Sequence, residues 1–141
     1  MLNRKCSRLV AACTIAVTPF VSTGVSAEEI DGSSDVVCAI TRVVACLEDG
    51  QCLQGQPSTF DLPELLVLDA KEKVLRTTRE SGKKAVSPIK NMERNGDQII
   101  LQGVENSRGW DIAINAKTGR MSAAGVGDGV SFLVHGTCTA L

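Results

Sequence analysis

Cysteine is the residue type in this chain whose number and spacing point most directly to chemistry. Four cysteines, Cys38, Cys46, Cys52 and Cys138, follow an N-terminal stretch that has the features of an export signal. An even number of cysteines in a short exported chain is typical of a disulfide framework. A zinc or redox site would favour a Cys-x-x-Cys motif, which this chain lacks. We therefore predict that all four cysteines are oxidised.

The pairing of these cysteines is not fixed by their number, because four cysteines allow three connectivities. Cys46 and Cys52 flank Asp49-Gly50, two residue types that favour a tight turn, so their side chains could meet across it. Cys38 would then pair with Cys138 and tie together the two ends of the domain, as a closed sheet requires. We predict these two bonds.

Histidine is the residue most often used as a catalytic base, and this chain contains one, His135. Its position near the end of a predicted strand, out of phase with Phe132 and Val134, is more typical of a partly exposed strand residue than of a base. No pair of acidic residues is placed as an acid–base couple, and no calcium-loop spacing occurs. The sequence predicts no catalytic residue, no metal site and no cofactor, and we expect that the protein is not an enzyme.

Two further segments could bind a ligand. The glycines of Gly125 to Gly129 are spaced as in a phosphate-binding loop, but they precede a strand and lack the Lys and Ser/Thr of such a loop, so we predict a flexible bend. Trp110 could serve as a stacking platform. Its alternation with Ile112 and Ile114 favours a core position instead.

The elements that must position these residues are short strands separated by turns. The Asn95-Gly96 pair predicts a hairpin, and residues 81–87 lack periodicity and predict a loop ended by Pro88. The predicted strands are Leu65 to Asp69, Lys73 to Thr77, Ile89 to Arg94, Gln98 to Gln102, Trp110 to Asn115, Arg120 to Ala124 and a last strand that contains Val130, Phe132 and Val134. This spacing predicts an all-β or mainly β domain, a small up-and-down antiparallel barrel or sandwich with two disulfides.

The segment from Asp35 to Leu47 is ambiguous. Its apolar residues fall on one face of a helix, and Ser33-Ser34-Asp35 could cap that helix. Its β-branched residues and the Asp49-Gly50 turn that follows favour a strand and a hairpin, which is the structure that we predict.

The N-terminus carries the pattern of a secretory signal. Arg4, Lys5 and Arg8 precede an apolar run from Leu9 to Val21, and Val25-Ser26-Ala27 fits the signal-peptidase rule. We predict cleavage after Ala27, export to the periplasm and no integral membrane segment in the mature chain, with a flexible N-terminus over 28–35 and a single β domain over 36–141. The alternative is a lipoprotein signal ending before Cys13, but four residues between Arg8 and Cys13 are too few for an apolar region.

Composition argues against nucleic acid as a partner. Removal of Arg4, Lys5 and Arg8 with the signal leaves twelve basic residues against sixteen acidic ones, a net charge of −4.

Residues 69–94 hold eight basic residues against four acidic ones. This segment is either a basic patch for an anionic surface or, as we favour because acidic residues interrupt it, a solvated strand and loop.

Several segments together resemble an uncharacterised family of small exported, disulfide-bonded proteins of Gram-negative bacteria with no assigned function. They are Cys38-Ala39-Ile40-Thr41, Leu62-Pro63 before Leu65–Asp69, Leu101-Gln102-Gly103, Arg108-Gly109-Trp110, Thr118-Gly119-Arg120-Met121 and Gly136-Thr137-Cys138. The resemblance covers most of the mature chain and implies no catalytic residue. At the level of architecture alone, the chain is similar to periplasmic β-barrels that inhibit lysozyme, although it has no tyrosine and no matching inhibitory motif.

These observations favour a non-catalytic periplasmic binding or accessory domain whose partner is an unidentified protein or envelope component. The alternatives are a periplasmic hydrolase with an unrecognised site and a protein similar to the lysozyme inhibitors. A carrier of small lipophilic molecules would need an empty barrel interior, for which the chain is short. A concave pocket with convergent polar groups would favour an enzyme, and a filled barrel would favour a binding domain.

Overall fold

The computed structural model describes residues 29–78 and 84–141. The described chain forms nine strands and one short 3-10 helix. The predicted signal, its cleavage site and the first three residues of the predicted 81–87 loop lie outside these residues. The elements are β1 (Val36–Leu47), β2 (Cys52–Gly55), the 3-10 helix (Pro57–Phe60), β3 (Leu65–Asp69), β4 (Val74–Thr77), β5 (Val86–Asn95), β6 (Gln98–Glu105), β7 (Arg108–Asn115), β8 (Arg120–Gly127) and β9 (Val130–Ala140).

The strands form a closed antiparallel barrel, as the sequence predicts. Strands β3 to β9 each pair with the next along the chain, and β1 pairs with β9 along almost its whole length, which closes an eight-stranded barrel. The other edge of β1 is shared, because residues 36–39 pair with β3 and residues 43–46 pair with the short strand β2. A register shift between Ile40 and Arg42 lies between the two halves of β1.

The ambiguous segment before Leu47 is a strand, so the β-branched residues outweigh the helical periodicity. Val36, Cys38 and Val43 are buried inside the barrel, while Arg42 is exposed. The turn after β1 uses Gly50 at a φ of +84°, a left-handed conformation that glycine adopts without strain.

The cysteines pair as predicted. Cys38 and Cys138 lie directly opposite each other on β1 and β9, with Cα atoms 4.0 Å apart, and both are buried. Cys46 and Cys52 lie opposite each other in the β1–β2 hairpin, with Cα atoms 4.1 Å apart, and Cys52 is exposed.

Two predicted boundaries were wrong. Gly125 and Gly127 do not belong to a bend, because they continue β8 and pair with Phe132 and Val130. The predicted loop also ends earlier than Pro88. Strand β5 begins at Val86, and Pro88 lies opposite Val74.

One end of the barrel is filled by side chains and by the N-terminal segment. Ile30 is 2% exposed, and its backbone N–H donates to Ala116 O at 3.0 Å beside the β7–β8 turn. In that turn Asn115 Oδ1 accepts hydrogen bonds from the backbone N–H groups of Lys117 and Thr118. Sequence reasoning treated residues 28–35 as a flexible N-terminus and missed this contact. We call this the closed end.

Candidate functional site

The opposite end of the barrel contains a cavity of about 320 Å³. Its lining includes Asn106 in the β6–β7 turn and Asp61 after the 3-10 helix. In an antiparallel barrel the β6–β7 and β7–β8 turns lie at opposite ends, so the cavity is at the end away from Ile30. Both Asn106 and Asp61 are exposed, so the cavity reaches the surface. We call this the open end.

The interior wall of the cavity is apolar. Side chains of β3, β4, β7, β8 and β9 point inward and contribute Leu66, Leu75, Ile112, Met121, Ala123 and Val134. Strand β8 places the small residues Ala123 and Gly125 on this wall, where larger side chains would fill the interior. The cavity therefore lies where successive inward positions of β8 carry small residues.

Trp110 forms one side of the cavity. Its indole covers Gly103 on β6, and a Cβ atom added to Gly103 would collide with the ring. The indole Nε1–H reaches Ser87 on β5 and donates to its Oγ at 3.0 Å. Glycine at position 103 thus lets the indole lie against the wall and lean toward β5. Sequence reasoning favoured a core position for Trp110, and the residue does pack against the core while half-buried and lining the cavity.

Arg108 lies two residues before Trp110 on β7 and leans the other way. Its side chain crosses Gly127 on β8, where an added Cβ would lie 2.7 Å from Arg108 Cγ. The guanidinium carbon lies 6.0 Å from the centre of the Phe132 ring on β9, within range of a cation–π interaction. Phe132 in turn meets Phe60 edge to face, with ring centres 6.4 Å apart. Because Arg108 and Trp110 diverge, the space between them stays open.

The rim of the cavity carries both signs of charge. Arg76 forms an ion pair with Asp69, and the distance from Arg76 Nη2 to Asp69 Oδ2 is 2.9 Å. Glu105 lies directly opposite Arg108 in the β6–β7 pairing, yet no ion pair within 4.0 Å joins Arg108 to a carboxylate of the described residues. The described residues of the rim therefore offer no large field of one sign that would select a strongly charged ligand.

The basic segment 69–94 does not form one continuous patch among its described residues. Arg76 is paired with Asp69, and Arg94 Nη2 lies 2.7 Å from Glu29 Oε1. Lys71 and Lys73 lie in the β3–β4 connection at the closed end, whereas Lys84 lies near the open end. Arg79 and Lys83 lie outside the described residues.

His135 lies on the outer face of β9, away from the cavity. Its Nδ1 is 3.4 Å from Ser122 Oγ on β8, and both side chains are exposed. No carboxylate of the described residues is recorded as a hydrogen-bond or salt-bridge partner of the imidazole. A Ser-His-Asp arrangement is therefore not assembled in the described part of the chain.

Sequence reasoning missed Ser87, Arg108 and the two glycines that admit the Trp110 and Arg108 side chains. The sequence did offer one signal. Alternate residues of a strand face the same side, so Arg108 shares the face of Trp110, Ile112 and Ile114. Gly103 also lies opposite Trp110 in the β6–β7 hairpin, but that register follows only from the turn position.

Elsewhere, the one titration shift of note is on the surface. The Ser33 hydroxyl and backbone N–H donate to the exposed carboxylate of Asp31 at 2.6 and 2.8 Å and hold its pKa below the usual value.

Within residues 29–78 and 84–141, no three His, Cys, Asp or Glu side chains are grouped so as to hold a metal ion. No helix in this part of the chain is long and apolar enough to cross a membrane.

Comparison with known proteins assigns no role to the cavity. The resemblance to small exported proteins stays a prediction. No family model, no curated protein and no solved structure matches the chain.

Proposed function

We propose that the protein is a non-catalytic binding domain of the periplasm that holds a small, mainly apolar ligand in the open end of its barrel. The observation that carries this proposal is the cavity of about 320 Å³ with its apolar wall. Its size lies at the lower end of the roughly 300–1,000 Å³ range of small-molecule sites.

The physical support is the cost of leaving such a cavity without a ligand. Protein interiors are close-packed, and a surface-accessible apolar cavity gives water few hydrogen-bond partners. An apolar ligand would remove both its own surface and the cavity wall from water, which is favourable in proportion to the area buried. The walls are strands of a closed sheet, so the shape exists before the ligand arrives and little ordering is needed on binding.

The proposed location is supported by the two disulfides, because such bonds persist in oxidising compartments. The predicted signal over residues 1–27 supports the same location from the sequence. An enzymatic role has less support. The single histidine, His135, and its neighbour Ser122 lie on the outer face of the sheet and do not line the cavity.

The test uses Trp110 as the reporter, since it is the single tryptophan and lines the cavity. Titration with a series of straight-chain alcohols should give saturable fluorescence changes. Each added methylene should tighten binding about fourfold, as burial of about 0.8 kcal/mol implies, until the cavity is full and the gain stops.

Ala123→Leu should abolish this binding, because the larger side chain occupies the cavity that Ala123 lines. The matched control is Ala113→Leu, the same exchange on the outer face of β7, which should bind like the unmodified protein. A fluorescence change that does not saturate, or equal binding by the Ala123 and Ala113 variants, would overturn the proposal.

A further inference from the structure

Ser87 is the single buried polar side chain recorded in the described part of the barrel, with 5% of its surface exposed, and it lines the cavity. Its one recorded hydrogen bond is the one that it accepts from Trp110 Nε1 at 3.0 Å. An indole nitrogen can only donate, so this bond uses a lone pair of the serine and leaves its proton free. Among the described residues, the Ser87 hydroxyl proton has no acceptor.

A buried donor without an acceptor is costly, and native interiors rarely keep one. Here the donor lies at the cavity wall, where a bound molecule could supply the missing acceptor. Trp110 also fixes the serine oxygen, since the indole is held flat over Gly103. Resting on the proposed function, we infer that the ligand is an apolar compound with one neutral carbonyl oxygen, which accepts the hydrogen bond of Ser87.

The acceptor should be neutral and not a carboxylate. A carboxylate buried beside Ser87 would lose its hydration and would need a cation as partner. The two cationic side chains among the described residues that line the cavity are placed elsewhere, with Arg108 over Phe132 toward β9 and Arg76 paired with Asp69. Glu105 at the rim would repel an anion further. A ketone or ester oxygen needs no counter-charge and satisfies the serine proton.

The experiment compares two probes of nearly the same shape, acetophenone and α-methylstyrene. The first carries a carbonyl oxygen where the second carries a methylene group that cannot accept a hydrogen bond. Binding of each is measured by ligand-observed NMR titration, which does not depend on tryptophan fluorescence. The quantity of interest is the ratio of the two dissociation constants, because each probe also partitions by its own hydrophobicity.

The variants are chosen to separate the two donors. Trp110→Phe removes the indole N–H but keeps the serine hydroxyl, so its own preference for acetophenone is the reference for the double variant. The double variant Ser87→Ala/Trp110→Phe removes both donors, and its preference should fall by about fivefold to tenfold, the usual worth of one net hydrogen bond. Ser87→Ala alone is less informative. Without the serine oxygen, the Trp110 indole N–H could donate to the ligand carbonyl in place of the serine hydroxyl. Thermal unfolding confirms that each variant is folded.

The outcomes distinguish this inference from the proposed function. If neither probe binds the unmodified protein, the cavity is not a ligand site and both proposals fail. If both probes bind and the ratio is the same in the double variant, the ligand site stands but the role of Ser87 is overturned. A loss of preference in the double variant that Trp110→Phe does not show supports the inference.

Discussion

The two ends of the barrel are built from the same strands and differ in what fills them. At the closed end Ile30 is buried against the β7–β8 turn, and the buried Cys38–Cys138 bond joins the first residues of β1 to the last of β9. At the open end Ala123 and Gly125 leave the interior unfilled, and Trp110 and Arg108 diverge. An eight-stranded barrel is just wide enough for side chains to fill, so residue size decides whether an end is solid or open. Stability should therefore reside mainly at the closed end, and binding at the open end.

The largest effect that we expect comes from the disulfides, one at each end. Replacing Cys38 and Cys138 with alanine should lower the free energy of unfolding by about 4–5 kcal/mol, since that bond closes a loop of about 100 residues. Replacing Cys46 and Cys52 should cost about 2–2.5 kcal/mol, because the loop between them is short. Urea unfolding of both variants measures the two losses. Equal losses would contradict loop length as the source of the difference between the two bonds.

The next largest effect concerns the segment that fills the closed end. Ile30→Ala should destabilise the protein by about 2–4 kcal/mol, because it removes a fully buried side chain and leaves a space behind. The matched control is Ile100→Ala on β6, where the isoleucine is half-buried on the outer face and should cost less than half as much. If the Ile30 variant is as stable as the unmodified protein, the N-terminal segment does not seal the barrel.

A smaller effect is expected at the open end. Trp110→Ala should cost about 2 kcal/mol, below the 3–5 kcal/mol of a fully buried aromatic residue, because the indole is half-buried beside an existing cavity. Trp110→Phe should recover most of that loss, since Phe can still cover Gly103. Thermal and urea unfolding provide the measurement, and a loss as large as that of Ile30→Ala would mean that the open end is as well packed as the closed one.

The smallest effect is expected away from both ends. His135→Gln should change stability by no more than about 0.5 kcal/mol, because the side chain is exposed on the outer face. It should leave alcohol binding at the cavity unchanged as well. Loss of a measurable hydrolase turnover in this variant, at an unchanged melting temperature, would revive the hydrolase hypothesis.

The sequence was sufficient for the parts of the fold that follow from local pattern. Alternation predicted the inward face of β7, and Asp49-Gly50 with its flanking cysteines predicted the β1–β2 hairpin. Cys38 was paired with Cys138 because that bond would tie the two ends of a closed sheet together, and it does join the first and last strands of the barrel. The site was less accessible, because it depends on which side chains cross a neighbouring strand. Gly103 and Gly127 have roles defined by Trp110 and Arg108, residues that reach them only after the strands pair. Ser87 lies in a segment without periodicity that we read as a loop.

The pairing of β1 with β9 also determines when the barrel can close as the chain folds. These are the first and last strands of the described barrel, and the bond between them joins residues separated by 100 positions. Contacts so distant along the chain form slowly, because the entropy lost on closing the long intervening loop precedes the gain from the contact. The barrel cannot close until strand β9 has been synthesised and can reach β1. A chain that stops before Val130 therefore lacks the strand that covers one edge of β1 and leaves that edge free to pair with another molecule.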